Sequence, residues 1–456
     1  MCVTPRKFTK KYVTFAPRSL TNLDLMGKNT LYYFNRDTNS TERICTFNNH
    51  KMDTFFSTFK WLNAKISQVV FLVLFCTLSA LSVSAQKNDS IPFLFRGHLI
   101  IHSTINDSVG CNVLYDTGGA DMFIVDSVYL AHSKWKPINF ASAMARGGAG
   151  RTKVKVITDP TKINIGSIED NYKMVPIFKL RDVVDCHVDG LWGIKNVADY
   201  PFEINFEHSF LKQHKAGMPD TKDYMKLPIR FENKQILLEA ETCIGGTNIN
   251  GWFLMDTGGG GTIVYTAKTV TDYQLDSLPG KRYIEDFTQF GIGDKERETL
   301  VRMLSERIVI GTDTICNTPI NYTPEGTGAF SNKPYLGVIG NGILSKFNII
   351  IDVKNQTLYL RRFKDEKPLG PTYDYEFQNR TDIGKGWIVR SLTRNGDAVV
   401  AGMELGDIIT AINSKSVSEY TWEEEYYIDE NPRQIIDITG SEGKIKRIIL
   451  DAKMEW

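Results

Sequence analysis

Asp116 and Asp256 are the residues in this chain whose type and setting could do chemistry together. Each opens an Asp-Thr-Gly-Gly run, Asp116-Thr117-Gly118-Gly119 and Asp256-Thr257-Gly258-Gly259, directly behind an apolar stretch. Two facing carboxyls can hydrolyse a peptide bond without a metal or a covalent intermediate: one activates water as a base, the other protonates the departing group. When such a pair shares one proton, mutual repulsion splits the titration into two macroscopic steps, so one carboxyl stays protonated while its neighbour is ionised in acid. A glycine after Asp-Thr permits the tight turn that brings two such loops together where side chains would collide. Thr117 and Thr257 are expected to brace the loops by hydrogen bonds. A single Asp-Thr-Gly carries little information, because all three residues are common in turns.

The elements around the two aspartates repeat as well. Leu114-Tyr-Asp-Thr-Gly-Gly-Ala-Asp-Met-Phe-Ile-Val125 recurs as Leu254-Met-Asp-Thr-Gly-Gly-Gly-Gly-Thr-Ile-Val-Tyr265, and a repeat of this length is rarely accidental. Upstream, Leu99-Ile-Ile-His-Ser-Thr-Ile and Ile236-Leu-Leu-Glu-Ala-Glu-Thr each precede a turn, so each unit is expected to start as a hairpin. Downstream come Gly-rich turns in β-type sequence, Arg146-Gly147-Gly148-Ala-Gly150 and Phe290-Gly291-Ile-Gly293, which read as the tips of flap hairpins at Gly147, Gly148 and Gly291. An apolar pair then meets a glycine, Leu191-Trp-Gly193 and Val338-Ile-Gly340, and leads into Phe202-Glu-Ile-Asn-Phe206 and Phe347-Asn-Ile-Ile-Ile-Asp-Val353. The aspartates are 140 residues apart and these glycines 147.

The 456 residues suggest two to four domains, and runs of β-branched and aromatic residues broken by Gly, Asn and Asp suggest a mostly β protein. Lys and Arg number 54 against 53 Asp and Glu, so bulk charge indicates neither nucleic acid nor an acidic membrane surface as a partner. Val69-Val-Phe-Leu-Val-Leu-Phe-Cys-Thr-Leu-Ser-Ala-Leu81, preceded by Lys60 and Lys65 and followed by Val83-Ser-Ala85, reads as a secretory signal over 52–85 cut before Gln86, or as an anchor if it is retained. Residues 1–51 stand in front of it as an extension of uncertain status. Export would permit disulfides among Cys111, Cys186, Cys243 and Cys316, whose pairing the spacing does not decide. His98 and His102 alternate on one expected strand, but no cluster has the spacing of a metal site and no phosphate loop occurs, so neither metal nor cofactor is expected.

Residues 91 to about 363 resemble the aspartic peptidase superfamily, on the two Asp-Thr-Gly and two apolar-apolar-Gly motifs. The resemblance implies two lobes of small acid-protease-like β-barrels, 86–225 and 226–365, with Asp116 and Asp256 catalytic at their interface, supported by Thr117, Gly118, Thr257 and Gly258. It further implies flaps closing over an extended polypeptide substrate, and a complete site in a monomer. One departure is plain. The family commonly places Ser, Thr or Ala after the motif glycine, a Ser or Thr hydroxyl there bonding a catalytic carboxylate, and here Gly119 and Gly259 offer none, as Ala offers none in active relatives. No flap tyrosine stands near Arg146–Gly150 either. This leaves open a second reading, a peptide-binding protein with the same fold and no turnover. After a charged, proline-bearing stretch at 361–371, residues 372–456 resemble a PDZ domain through Gly386-Trp387-Ile388-Val389 and Ala398-Val-Val-Ala-Gly-Met-Glu-Leu-Gly-Asp-Ile-Ile-Thr-Ala-Ile-Asn413. That likeness implies a peptide C-terminus added to a sheet edge, its carboxylate held by the backbone of Gly386, Trp387 and Ile388. The combination implies an exported protein of the periplasm or cell envelope, touching membrane only through an uncleaved signal.

Overall fold

The hairpin expected ahead of each Asp-Thr-Gly forms, with a tight turn of the kind that strand twist demands. In the computed structural model Leu99–Ile105 pairs antiparallel with Val109–Asp116 through Asn106 and Asp107, both left-handed, and Gln235–Ile244 pairs with Thr247–Met255 through Gly245 and Gly246, also left-handed. The structure describes residues 30–35, 40–46 and 89–453, apart from positions 120, 148–149, 196, 289–290, 292, 294–296, 325, 327, 366–371 and 441. The expected signal at 52–85 lies outside the described residues, as do most of 1–51, Gly148 and part of the 361–371 stretch. Within 1–88, Thr30–Asn35 and Ser40–Thr46 form an antiparallel hairpin belonging to a unit of its own.

The protein is mostly β, and its two halves repeat one strand order. In the first, Val109–Asp116 lies beside Gly190–Gly193 (parallel), followed by Phe123–Asp126, then Val175–Phe178 (parallel), then the hairpin Gly150–Ile157 with Phe140–Gly147. In the second, Thr247–Met255, Gly337–Ile339, Ile263–Tyr265, Asp313–Tyr322 and the hairpin Arg297–Ile310 with Tyr283–Thr288 follow in the same order and the same senses. Even the short helices correspond: Ser127–His132 is capped by the Asp126 carboxylate and Ala267–Asp272 by the Thr266 hydroxyl.

A sheet built from both halves lies beneath. Ile91–Pro92, Phe210–Gln213 and Phe202–Asn205 from the first half continue, through Phe202 opposite Ile351, into Phe347–Asp352, Thr357–Arg362 and Met225–Glu232 of the second. One hydrophobic core therefore runs through both halves, from Ile91 to Leu360. Complete burial of Phe202, Phe253 and Phe347 anchors it, each ring stabilising the fold by about 2–3 kcal/mol relative to an exposed one.

Residues 372–453 have a second core, with Trp387, Ile409 and Ile436 fully buried. Tyr375–Asn379 and Trp387–Thr393 form its first hairpin, and Ile408–Ile412, Arg433–Thr439 and Ile445–Asp451 complete its sheet. This module is docked on the two halves. Arg181, held within the first half by Asp189 at 2.7 Å, reaches Asp382 of the module at 3.1 Å, Arg380 pairs with Asp182, and the Asp286 to Arg394 contact spans 2.7 Å. Glu285–Phe287 also pairs antiparallel with Ser391–Thr393, so the module takes a strand of the second half into its own sheet. No disulfide joins Cys111, Cys186, Cys243 and Cys316. Among the described residues no helix is long and apolar enough to cross a membrane.

Candidate active site

Asp116 ends its strand and Asp256 directly follows the corresponding one, so the two Asp-Thr-Gly loops meet where the halves join. The threonines lock them reciprocally. Thr117 N–H donates to Thr257 Oγ1 at 3.0 Å, and Thr257 N–H to Thr117 Oγ1 at 3.0 Å. Each hydroxyl then donates to the carbonyl ahead of the opposite aspartate, Thr117 to Met255 at 2.8 Å and Thr257 to Tyr115 at 2.9 Å. Both threonines are completely buried, so every one of these polar groups depends on its partner across the interface.

The glycines make the approach possible. Gly118 N–H donates to Asp116 Oδ1 and Gly258 N–H to Asp256 Oδ1, each at 2.8 Å. A Cβ on Gly118 would stand 2.7 Å from Cγ of Asp256, and one on Gly258 would stand 2.5 Å from Cγ of Asp116. Any side chain at either position therefore displaces the carboxylate of the opposite loop. Gly119 and Gly259 differ from each other: a Cβ at 119 would meet Asp116 Oδ2 at 2.6 Å, whereas one at 259 finds nothing nearer than 3.7 Å. A side chain at 119 would thus push against the Asp116 carboxylate, whereas the loop of Asp256 has room for one at 259.

Burial, and then the charge of Asp256 beside it, hold the Asp116 carboxyl well above the usual carboxylate range. Burial also raises Asp256, but its hydrogen bond with Asp116 and the N–H groups of Gly258 and Gly259 pull it back. Both carboxyls are raised by burial and hydrogen-bonded to each other, so they titrate as one coupled pair that can share a proton. An acid and a base sit side by side, the arrangement that can activate a water and protonate a leaving amine.

Two further residues position the loops: Asn341, which the sequence did not single out, and His98, which it offered only as half of an alternating histidine pair. Asn341, fully buried, donates through Nδ2 to the carbonyls of Thr257 at 2.7 Å and Gly97 at 2.9 Å, and its N–H donates to Gly259 at 2.7 Å. It follows Val338-Ile-Gly340, where the first half has Ile194, so a comparison of the repeats beyond the glycine would have found it. His98 hydrogen-bonds the backbone of Gly258, and burial pushes its imidazole down to about 4, which keeps the ring uncharged beside the dyad. His98 and His102 do not converge on a shared set of ligands: His102 Nδ1 meets Asn112 Oδ1 at 3.3 Å.

Gly147 pairs with Gly150 at the end of the hairpin of Phe140–Gly147 with Gly150–Ile157. Gly291 follows the corresponding strand Tyr283–Thr288 in a left-handed conformation, and that hairpin is the one whose strand enters the C-terminal sheet. In the C-terminal module Gly386 packs so closely that a Cβ would stand 2.5 Å from the Ile409 carbonyl. Trp387 is fully buried and stacks on Phe377 at 4.3 Å. Trp387 and Ile388 are paired on both sides, with Asn379 and Gln378 on one and with Ile409 and Ile408 on the other. At 387–388, therefore, neither strand edge is open to a further strand. No protein-family model and no curated protein matches this chain.

Proposed function

We propose that the chain is an aspartic endopeptidase that hydrolyses polypeptides with a water held between Asp116 and Asp256, one carboxyl acting as base and the other as acid. The observation carrying this reading is the reciprocal Thr117–Thr257 lock, which fixes two buried, proton-sharing carboxyls at a two-fold interface. Carboxyls brought this close oppose the burial of their own charge, so an arrangement that holds them there is directed at chemistry rather than stability. Two complete loops in one chain make the site that of a monomer. Residues 372–453, read as a PDZ-like module, would regulate access in an exported enzyme of the periplasm or envelope.

The lack of a hydroxyl at Gly119 and Gly259 favours a second reading, a fold that binds peptides without cleaving them. Hydrolysis of a diverse peptide library across acidic to neutral pH separates the two. Cleavage that disappears in Asp116→Ala supports the peptidase; binding without cleavage at any pH, by a folded chain, supports the alternative.

A further inference from the structure

Alternate side chains on a strand share a face, so Leu114 projects from the same side as Asp116 while Tyr115 enters the main core. Leu114 is in register with Leu191, and Leu191 with Ile124. With Ile100, Leu180 and Val188 they form a separate apolar cluster. This cluster adjoins the dyad: one point, where a Cβ on Gly119 would stand, is 2.6 Å from Asp116 Oδ2 and 3.1 Å from Leu191 Cδ2.

One side chain of the C-terminal module enters it. Trp422, opening the helix Trp422–Tyr426, packs on the cluster, donates its indole N–H to Asp185 Oδ2 at 3.0 Å, and stacks on the His187 ring at 4.4 Å and 16°. Asp185 and His187 are themselves joined at 2.8 Å. An apolar floor, a stacking ring and an acceptor aimed at a ring N–H are together the complement of an indole. The rest of the helix lies against the dyad's surroundings: the Arg96 guanidinium sits over Tyr426 at 5.2 Å, and the neighbouring Gly97 carbonyl is held by Asn341, which also holds Thr257. In the second half the matching cluster of Leu237, Leu254, Tyr335 and Val338 is covered by Trp252 and Phe330 of that half itself. On the Asp116 side Phe178 and Val184 of that half also pack on the cluster, and among the described residues Trp422 is the cover that the C-terminal module adds.

We propose that the pocket formed by Leu114, Leu191, Val188, Asp185 and His187 is an indole-selective subsite for a peptide side chain, and that Trp422 is an internal occupant an incoming peptide must displace. As a subsite of cleavage it rests on the peptidase reading; as a binding pocket it does not. The test uses the full chain carrying Asp116→Asn, so that binding is read without turnover, with N-acetyl-tryptophanamide and N-acetyl-phenylalaninamide as probes in calorimetry or NMR titration. Adding Trp422→Ala should tighten binding of the tryptophan probe about tenfold or more, and favour it over the phenylalanine probe by about tenfold, the worth of a hydrogen bond to a charged acceptor. Trp422→Phe keeps the ring packing and guards against misfolding; it should give an intermediate affinity. Asp185→Leu in the Trp422→Ala background should abolish the preference between probes. Equal binding of the tryptophan probe with and without Trp422 in a folded chain, or a preference that survives Asp185→Leu, overturns the proposal. In the chain with both aspartates intact, faster cleavage of tryptophan-containing peptides by Trp422→Ala supports the displacement step. Binding as expected with no cleavage of any peptide keeps the pocket and removes only the peptidase reading.

Discussion

Replacing Thr117 by valine keeps the shape of the residue and removes the hydroxyl on which the dyad interface turns. The change strands two buried groups, the Thr257 N–H that donates to Thr117 Oγ1 and the Met255 carbonyl that accepts from it. Each unpaired buried group costs about 1–3 kcal/mol, so the variant should lose about 2–6 kcal/mol, against about 5–15 kcal/mol for a typical domain. Thr117→Ser retains the hydroxyl and forfeits one methyl, about 1 kcal/mol. Urea unfolding should therefore show a midpoint lowered strongly in Thr117→Val and slightly in Thr117→Ser at unchanged slope. Turnover by the valine variant should fall about a hundredfold or more, because displacement of a reacting group by about 1 Å has that effect. A Thr117→Val chain within about 0.5 kcal/mol of the parent, or serine and valine variants of equal stability, would refute the claim that the hydroxyls hold the loops together.

Gly258→Ala, whose methyl would stand 2.5 Å from Cγ of Asp116, should lower kcat about a hundredfold or more, and Gly119→Ser should also lower it. Gly259→Ser, with nothing within 3.7 Å, should leave kcat within a few-fold, and equal effects at 119 and 259 would contradict the asymmetry of the loops. Because the folded-state Asp116 carboxyl is raised, the folded chain binds more protons than the unfolded one above the ordinary carboxyl range, so stability falls as pH rises through the raised value. Asp116→Asn should accordingly increase unfolding free energy at pH 7, with the gain vanishing towards pH 4; a variant no more stable at pH 7 would count against a raised carboxyl. Glu425, raised to about 7 chiefly by burial, has the same sign, and Glu425→Gln should flatten the loss of stability between about pH 5 and 8 in denaturant titrations. On gel filtration, activity should run with the monomer; activity confined to dimers would mean that the two loops of one chain do not make one site.

The repeated unit was legible because its determinants are local: Asp-Thr-Gly, the alternating apolar residues before it and the apolar-apolar-Gly after it recur in order, and the same strand order follows in space. The glycines at 118 and 258 carry their reason in the sequence, since only a residue without Cβ allows two loops to approach face to face. The docking of the C-terminal module was not legible. Which strand edge Glu285–Phe287 would join depends on long-range packing, and nothing in the residues themselves names Ser391–Thr393 as the partner. Trp422 reads locally as the first residue of a helix capped by Thr421 and Glu424, and only the fold brings it to Asp185, 237 positions away. The carboxylate-binding expectation for Gly386, Trp387 and Ile388 came from a local pattern, which says nothing of strands 408–412 and 375–379 flanking that segment on both sides.

The central claim, that Asp116 and Asp256 act as one hydrolytic pair, is tested most directly by incubating the chain and its Asp116→Asn and Asp256→Asn variants with a diverse peptide library across acidic to neutral pH. The account predicts cleavage by the parent and its loss in both variants, with the variants folded. Cleavage that survives in either variant, or a folded parent that cuts nothing at any pH, would contradict it.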